Sequence, residues 1–365
     1  MNNSRNYFLI VALILAFQIF DLDAADTKIS ISGYVDAYFA NDNEKLLSSE
    51  ELPFNFTRSL TYINQKKNQF GINMAMVSAD VSFDNLRGNV TLQAGGLVNS
   101  AWQAAGVLYP MIQQAYAGFN FYDKFWLDAG YFLTHIGGEA LLPKDNWLSS
   151  HSLVTYYEPF YQSGARISYE SDKFTGQLHI LNGNGRIEDN NVNKTFGVFL
   201  SYKPLDELVI SYANVLGNEE AGRPEDGTLH MLHNIVASYN ITDDLAIKGQ
   251  LDLASKDLPN ADTTKEPVAG SYMGLSLSAH YILTKEINIT GRFAMVNNED
   301  GVYAPVLSGN VITLGCEYRP AENYYLRLEG SMYQLDDKYK IFVNQDGEAD
   351  ASKMEIMLNF GIILK

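Results

Sequence analysis

Toward its C-terminal end the chain alternates apolar and polar side chains with a period of two. In an extended backbone Ile312, Leu314, Cys316 and Tyr318 face one way, and Thr313, Gly315, Glu317 and Arg319 the other. Pro320, Ala321, Glu322 and Asn323 supply a short turn, after which Leu326, Leu328, Gly330 and Met332 alternate with Arg327, Glu329, Ser331 and Tyr333. The unit is a long hairpin whose two faces suit two different solvents.

The same plan recurs from residue 28 onward. Ile29, Ile31, Val35 and Ala37 oppose Ser30, Ser32, Tyr34, Asp36 and Tyr38 in a first strand. The second ends with Val77, Ala79, Val81 and Phe83 on one face but begins with Phe70, Ile72 and Met74 in the opposite parity, which predicts a bulge. Residues 208–216 show no parity, so their facing stays open. A last strand covers residues 354–364. The reading gives sixteen strands, joined alternately by seven short turns and eight long connections. It predicts an all-β fold, a transmembrane antiparallel β-barrel of about 16 strands with short periplasmic turns and long extracellular loops. No linker or charge block divides residues 25–365, which read as a single barrel domain. Each short turn is approached by an outward-facing aromatic residue, Phe83, Phe121, Tyr169, Tyr202, Tyr239, Tyr281 or Tyr318. A periplasmic girdle of such rings suits the boundary between acyl chains and headgroups.

Composition narrows the class further. Only 19% of residues are charged, while Tyr (23), Phe (19) and Gly (28) are abundant, which favours strands and tight turns over helices. The net charge of −17 leaves no basic face for a nucleic-acid partner. Residues 1–24 read as a cleaved signal peptide: Arg5, an apolar run from Tyr7 to Phe20 interrupted only by Gln18, then the small residues Ala24 and Ala25. The run is shorter than the ~20 residues a spanning helix needs. Cys316 is the single cysteine and falls on an apolar face, so no intramolecular disulfide forms and the thiol reads as a small lipid-facing or packed hydrophobe.

Backbone amides in hydrocarbon must be paired, so the sheet has to close, and sixteen strands enclose more space than their own side chains fill. The inward set carries Asp36, Asp80, Asp128, Arg166, Glu170, Lys248, Asp252, Arg292, Glu317, Arg327 and Glu329. These are expected to line a water-filled pore and stay hydrated.

Asn68-Gln69-Phe70-Gly71, Leu92-Gln93-Ala94-Gly95, Trp126 through Phe132, Tyr157 through Gly164 and Leu181-Asn182-Gly183 resemble segments of the OmpL-like β-barrel porins of Gram-negative outer membranes. The resemblance implies passive diffusion of small hydrophilic solutes across the bacterial outer membrane. Its partners would be outer-membrane lipids, lipopolysaccharide and the barrel assembly machinery, with no cofactor and no enzymatic activity; monomer and homotrimer stay open. The chain departs from many outer-membrane proteins in ending Ile362-Ile363-Leu364-Lys365 rather than on an aromatic residue. In other sixteen-stranded porins the third long loop narrows the barrel. Here that loop covers residues 136–159, and Glu139, Lys144, Asp145 and His151 are expected near the constriction, facing Arg166 or Arg292. A loop lying over the mouth is the alternative.

Other clusters have blander readings. Ser276, Ser278 and His280 share an inward face and define a second reading, a barrel hydrolase, although no acid is evident to orient the histidine. A third is a plugged structural or adhesive barrel. His230 and His233 are three apart, on opposite faces of a strand, which disfavours a joint metal site. Glu219 and Glu220 with Glu225 and Asp226, and Asp346 with Glu348 and Asp350, read as solvated acidic loops. Asn182-Gly183-Asn184-Gly185 lacks the helix that would make it a phosphate cradle.

Overall fold

A computed structural model describes residues 28–46, 57–102, 109–189, 191–219, 229–258 and 267–364. The signal segment, Glu220, Glu225 and Asp226 lie outside the described residues. Sixteen long strands follow one another: β1 (Lys28–Asp42), β2 (Gln69–Phe83), β3 (Leu86–Ala94), β4 (Ile112–Tyr122), β5 (Phe125–Leu133), β6 (Tyr161–Glu170), β7 (Phe174–Leu181), β8 (Thr195–Leu205), β9 (Leu208–Asn218), β10 (Leu229–Asn240), β11 (Leu245–Leu258), β12 (Val268–Ile282), β13 (Ile287–Asn297), β14 (Ser308–Ala321), β15 (Tyr324–Leu335) and β16 (Ser352–Leu364). Each pairs antiparallel with its neighbours, and β1 pairs with β16 from Gly33 opposite Leu364 to Asp42 opposite Glu355, which closes the barrel. The ending without an aromatic residue therefore still supplies a full closing strand.

Alternation determines the two surfaces. Ile31, Leu178 and Leu314 are 61%, 62% and 64% exposed on the outer wall, while Tyr34, Asp36, Thr313 and Glu329 are buried inside. Such a continuous apolar exterior needs a lipid solvent. The predicted bulge is present in β2, where the register slips between Asp36 opposite Met74 and Ala37 opposite Ile72. The slip turns Asn73 and Met74 both inward, so Met74 does not share the outward face of Phe70 and Ile72. Short turns end the hairpins tightly: Asp84 and Asp123 adopt φ of 45° and 42°, a left-handed conformation that Asp tolerates in two-residue turns.

The long connections all emerge at the opposite end. Loop 2 contains a short helix, α1 (Gly96–Ala101), and a turn at Tyr109–Met111. The described second half of loop 1, residues 57–68, folds inward and is held by buried ion pairs, Arg58 to Glu355 at 2.5 Å and Lys67 to Asp42 at 2.7 Å. Loop 8 carries a small hairpin of Phe342–Val343 and Ala349–Asp350.

Candidate permeation site

Loop 3, which covers residues 134–160 between β5 and β6, runs down the inner wall and does not lie over the mouth. Its descent is governed by polar groups of the far strands. Asn234 of β10 accepts the Gly137 amide at 3.2 Å, and Gln250 of β11 accepts the Gly138 amide at 3.1 Å, while Lys248 donates to the Gly138 carbonyl at 3.0 Å. Gly137 has φ of 108°, and a Cβ there would come within 2.7 Å of the Glu158 carboxylate, so this close approach needs glycine. Arg292 of β13 then donates to Glu139 Oε1 at 2.6 Å, to the Ser150 carbonyl and hydroxyl at 2.7 and 2.9 Å, and to the His151 carbonyl at 3.1 Å.

Farther down, Arg327 of β15 donates to the carbonyls of Pro143 and Asn146, each at 2.7 Å, and to Glu317 at 2.6 Å. Glu329 accepts from the amides of Ser149 and Ser150 and from the Ser150 hydroxyl. Trp147 stacks on His280 with ring centroids 5.1 Å apart, and the Lys248 ammonium lies over the same indole, 4.9 Å from its centroid. Because Arg327 and His280 sit close to the short-turn ends of β15 and β12, the loop reaches most of the way through the barrel.

The upper part of the loop is apolar on its wall side. Ile136, Leu153, Val154 and Tyr157 join Ala213 and Val215 of β9, Leu232 of β10 and Val296 of β13 in one buried cluster. This cluster resolves the facing of residues 208–216. Ile210 and Leu216 point outward, paired with Tyr202 and Phe196, while Ala213 and Val215 point inward at 1% exposure. Both faces of β9 are apolar because one meets lipid and the other meets loop 3.

A cavity of about 430 Å³ is bounded on one side by Gly138, Glu139 and Glu158 of loop 3 and on the other by Gln114, Arg166, Gln177 and Phe199 of the barrel wall. Arg166 is steered by Asp128, which accepts from it at 2.9 Å and from Arg87 through two bonds of 2.7 Å, and by the rings of Phe132 and Tyr116. Burial alone would lift the Glu139 carboxyl, but the Arg292 guanidinium, His151 and the Ser152 amide outweigh it and hold it below the usual range. Glu158 goes the other way. Burial, then the neighbouring Asp252 carboxyl, raise it well above an ordinary glutamate, and Gln250 Nε2 bridges the two acids at 2.5 and 3.1 Å.

The expected hydrated wall charges need correction in part. Asp80 and Glu170 are exposed in the lumen and Lys248 is half-buried, but Asp36, Asp128, Asp252, Arg292, Glu317, Arg327 and Glu329 are buried in polar networks. The physical reason is occupancy, since loops 1 and 3 replace water over much of the wall and Arg87 and Arg166 cover Asp128. Glu139 meets Arg292 directly rather than across an opening, and the His151 carbonyl touches the same guanidinium. Lys144 and Asp145 pair with each other at 2.8 Å near the foot of the loop and touch neither arginine. Sequence reasoning missed Asn234, Gln250, Ser149 and Ser150. The one available signal was Leu232, an apolar residue sharing an inward face with His230 and Asn234.

Of the aromatic residues beside the short turns, Phe83, Phe121, Tyr202, Tyr239, Tyr281 and Tyr318 are exposed outside, while Tyr169 is half-buried between Phe125 and Phe174. His280 hydrogen-bonds the Thr290 hydroxyl at 2.8 Å, with no carboxylate in the contact. His230 faces in, toward Tyr303, and His233 faces out, toward Tyr212. Asn184 N donates to Glu219 at 2.9 Å, so the glycine-rich turn spends an amide on a carboxylate of its own chain. Asp346 and Glu348 are exposed in loop 8, and Asp350 accepts the Ser352 amide at 2.9 Å.

The family model described as "Putative beta-barrel porin-2, OmpL-like" matches residues 28–364. The chain belongs to this porin family. No curated protein sequence matches it. Among solved structures the fold of this porin-family chain is similar to the anion-selective porin from Comamonas acidovorans, with a TM-score of 0.63, 10% identity, and coverage of 93% of this chain and 100% of that one. OmpT of Vibrio cholerae in a trimer form gives a TM-score of 0.56 and 12% identity over 93% and 99% of the two chains. OmpF of Salmonella typhi in complex with daunomycin gives 0.58 and 10% over 93% and 98%. At these identities the likeness is one of fold.

Proposed function

We propose that the protein passes small hydrophilic solutes and ions passively across the bacterial outer membrane, through the space that loop 3 leaves beside strands β4 and β6 to β8. The observation that carries this reading is the cavity between Glu139 and Arg166, about 430 Å³ inside a barrel with an apolar exterior. Glu139 on the loop side, paired with Arg292, and Arg166 on the wall side, paired with Asp128, set ion-pair dipoles whose field reaches into the passage beside them. Solutes with their own dipole gain by aligning with it, and apolar molecules lose by displacing the water it orders. The local charges, rather than the overall −17, set ion preference.

In this reading residues 1–24 direct export and are removed, the barrel assembly machinery inserts residues 25–365, the aromatic rings beside the short turns sit among headgroups of the periplasmic leaflet, and lipopolysaccharide surrounds the long-loop end. Homotrimer formation is part of the proposal. Refolded protein in planar bilayers is expected to show stepwise conductance, and vesicles containing it to swell in small sugars. Absence of both would sink the transport reading and leave a plugged structural barrel, which the amount of loop packed inside favours as second choice.

A further inference from the structure

We infer that the long-loop mouth holds a saccharide-binding site built on Tyr62 of loop 1, Tyr156 and Tyr157 of loop 3, and Tyr303 of loop 7 (residues 298–307). The inference rests on the porin reading for its role, since the site opens into the same lumen, but binding itself is separable from transport.

The four rings form a row. Tyr62 and Tyr156 are nearly parallel with centroids 4.6 Å apart, Tyr157 stands edge-on to Tyr156 at 5.5 Å, and Tyr303 follows Tyr157 at 5.9 Å. They line a cavity of about 430 Å³, within the usual range for small-molecule sites. Glu158 and Pro159 border both this cavity and the deeper one beside Arg166, so a molecule held at the mouth is adjacent to the passage.

The chemistry favours a sugar ring. The Tyr157 hydroxyl donates to the Pro305 carbonyl at 2.9 Å, and the Tyr303 hydroxyl is bonded to His230 Nε2 at 2.9 Å. With these hydroxyls engaged, the two rings are fixed in orientation; Tyr157 is buried and backs the site, and the carbon surface at the cavity comes from the half-buried rings of Tyr62, Tyr156 and Tyr303. A pyranose has a C–H face that stacks on such a surface and a rim of hydroxyls that need donors and acceptors. Asn184, Arg186 and Glu219 supply both around the same cavity. Arg186 and Lys256 share the lining with two acids, Glu158 and Glu219, so groups of both signs border the cavity, unlike a site built for a solute of one charge. Asn184 N and Glu219 already pair with each other at 2.9 Å, and a wholly apolar guest would cover the remaining polar surface of the cavity without offering it a partner. Loop-to-loop adhesion alone explains the ring contacts but not the open volume beside them.

The test uses full-length mature protein in detergent and in planar bilayers, with maltotriose as probe and sorbitol, an open-chain polyol lacking a stacking face, as control. Saturation-transfer NMR is expected to show maltotriose binding and no sorbitol binding, and maltotriose is expected to block the open channel saturably. Tyr156→Leu should weaken both effects about five- to tenfold, the size of one lost aromatic stack, while Tyr156→Phe retains them. Equal signals from maltotriose and sorbitol, or an unchanged affinity in Tyr156→Leu, would overturn the saccharide site. Binding by NMR without any conductance would uphold the site and overturn the porin reading instead.

Discussion

Replacing Arg292 with methionine tests whether the loop is held by the far wall. The guanidinium makes four hydrogen bonds to loop 3, and its side chain and that of Glu139 are 3% and 12% exposed. Removing one partner of a buried pair typically costs about 3–5 kcal/mol, because the other charge is left uncompensated. Glu139 keeps the Ser152 amide at 2.6 Å and the Thr155 hydroxyl at 3.0 Å, which places the expected loss near the lower end, ~3 kcal/mol. That corresponds to a shift of roughly a hundredfold in the equilibrium between docked and released loop. The backbone ladder of the barrel is untouched, so the loss is local. Single-channel recordings of Arg292→Met should show larger or rapidly fluctuating conductance, while the urea midpoint of the barrel barely moves. Adding Glu139→Gln should quieten the channel relative to the single variant, since no orphaned carboxylate remains. Conductance and noise identical to the unmodified protein would refute the claim that Arg292 anchors the loop.

Two further outcomes follow from the same geometry. Glu158 is raised in the folded protein, so its contact with Asp252 is fully present at low pH and is lost as pH rises through the raised value, above the ordinary carboxylate range. Channel noise should therefore grow with pH in that window and lose this dependence in Glu158→Gln; a pH response surviving the substitution would assign it to another group. On the outer wall, Leu314→Arg should cost roughly 2–4 kcal/mol in vesicle unfolding experiments if the residue lies near the bilayer midplane. A cost under about 1 kcal/mol would mean that this surface does not meet hydrocarbon.

The strands were legible because each carries its own instruction. Leu314 and Leu328 face lipid, and Thr313 and Glu329 face inward, by alternation that needs no knowledge of any distant residue. The bulge in β2 could be read for the same reason, since the parity break at Met74 is local, although which residue absorbed it was not. The candidate site was legible only in its cast. Arg292, Glu139 and Arg166 were named, but as hydrated groups facing one another across water.

Alternation by itself decided the strand count and, outside residues 208–216 and the bulge at Asn73 and Met74, which side chains meet lipid, because a strand sorts its neighbours between two solvents within a few residues. Only the tertiary structure decided which inward groups touch water. Arg292 meets Ser150 across 142 residues, and Arg327 meets Pro143 across 184. An arginine that lines a pore and one that holds a loop have the same local pattern. What separates them is whether a loop from elsewhere in the chain displaces the water in front of them, and that depends on pairings that no short window of sequence contains.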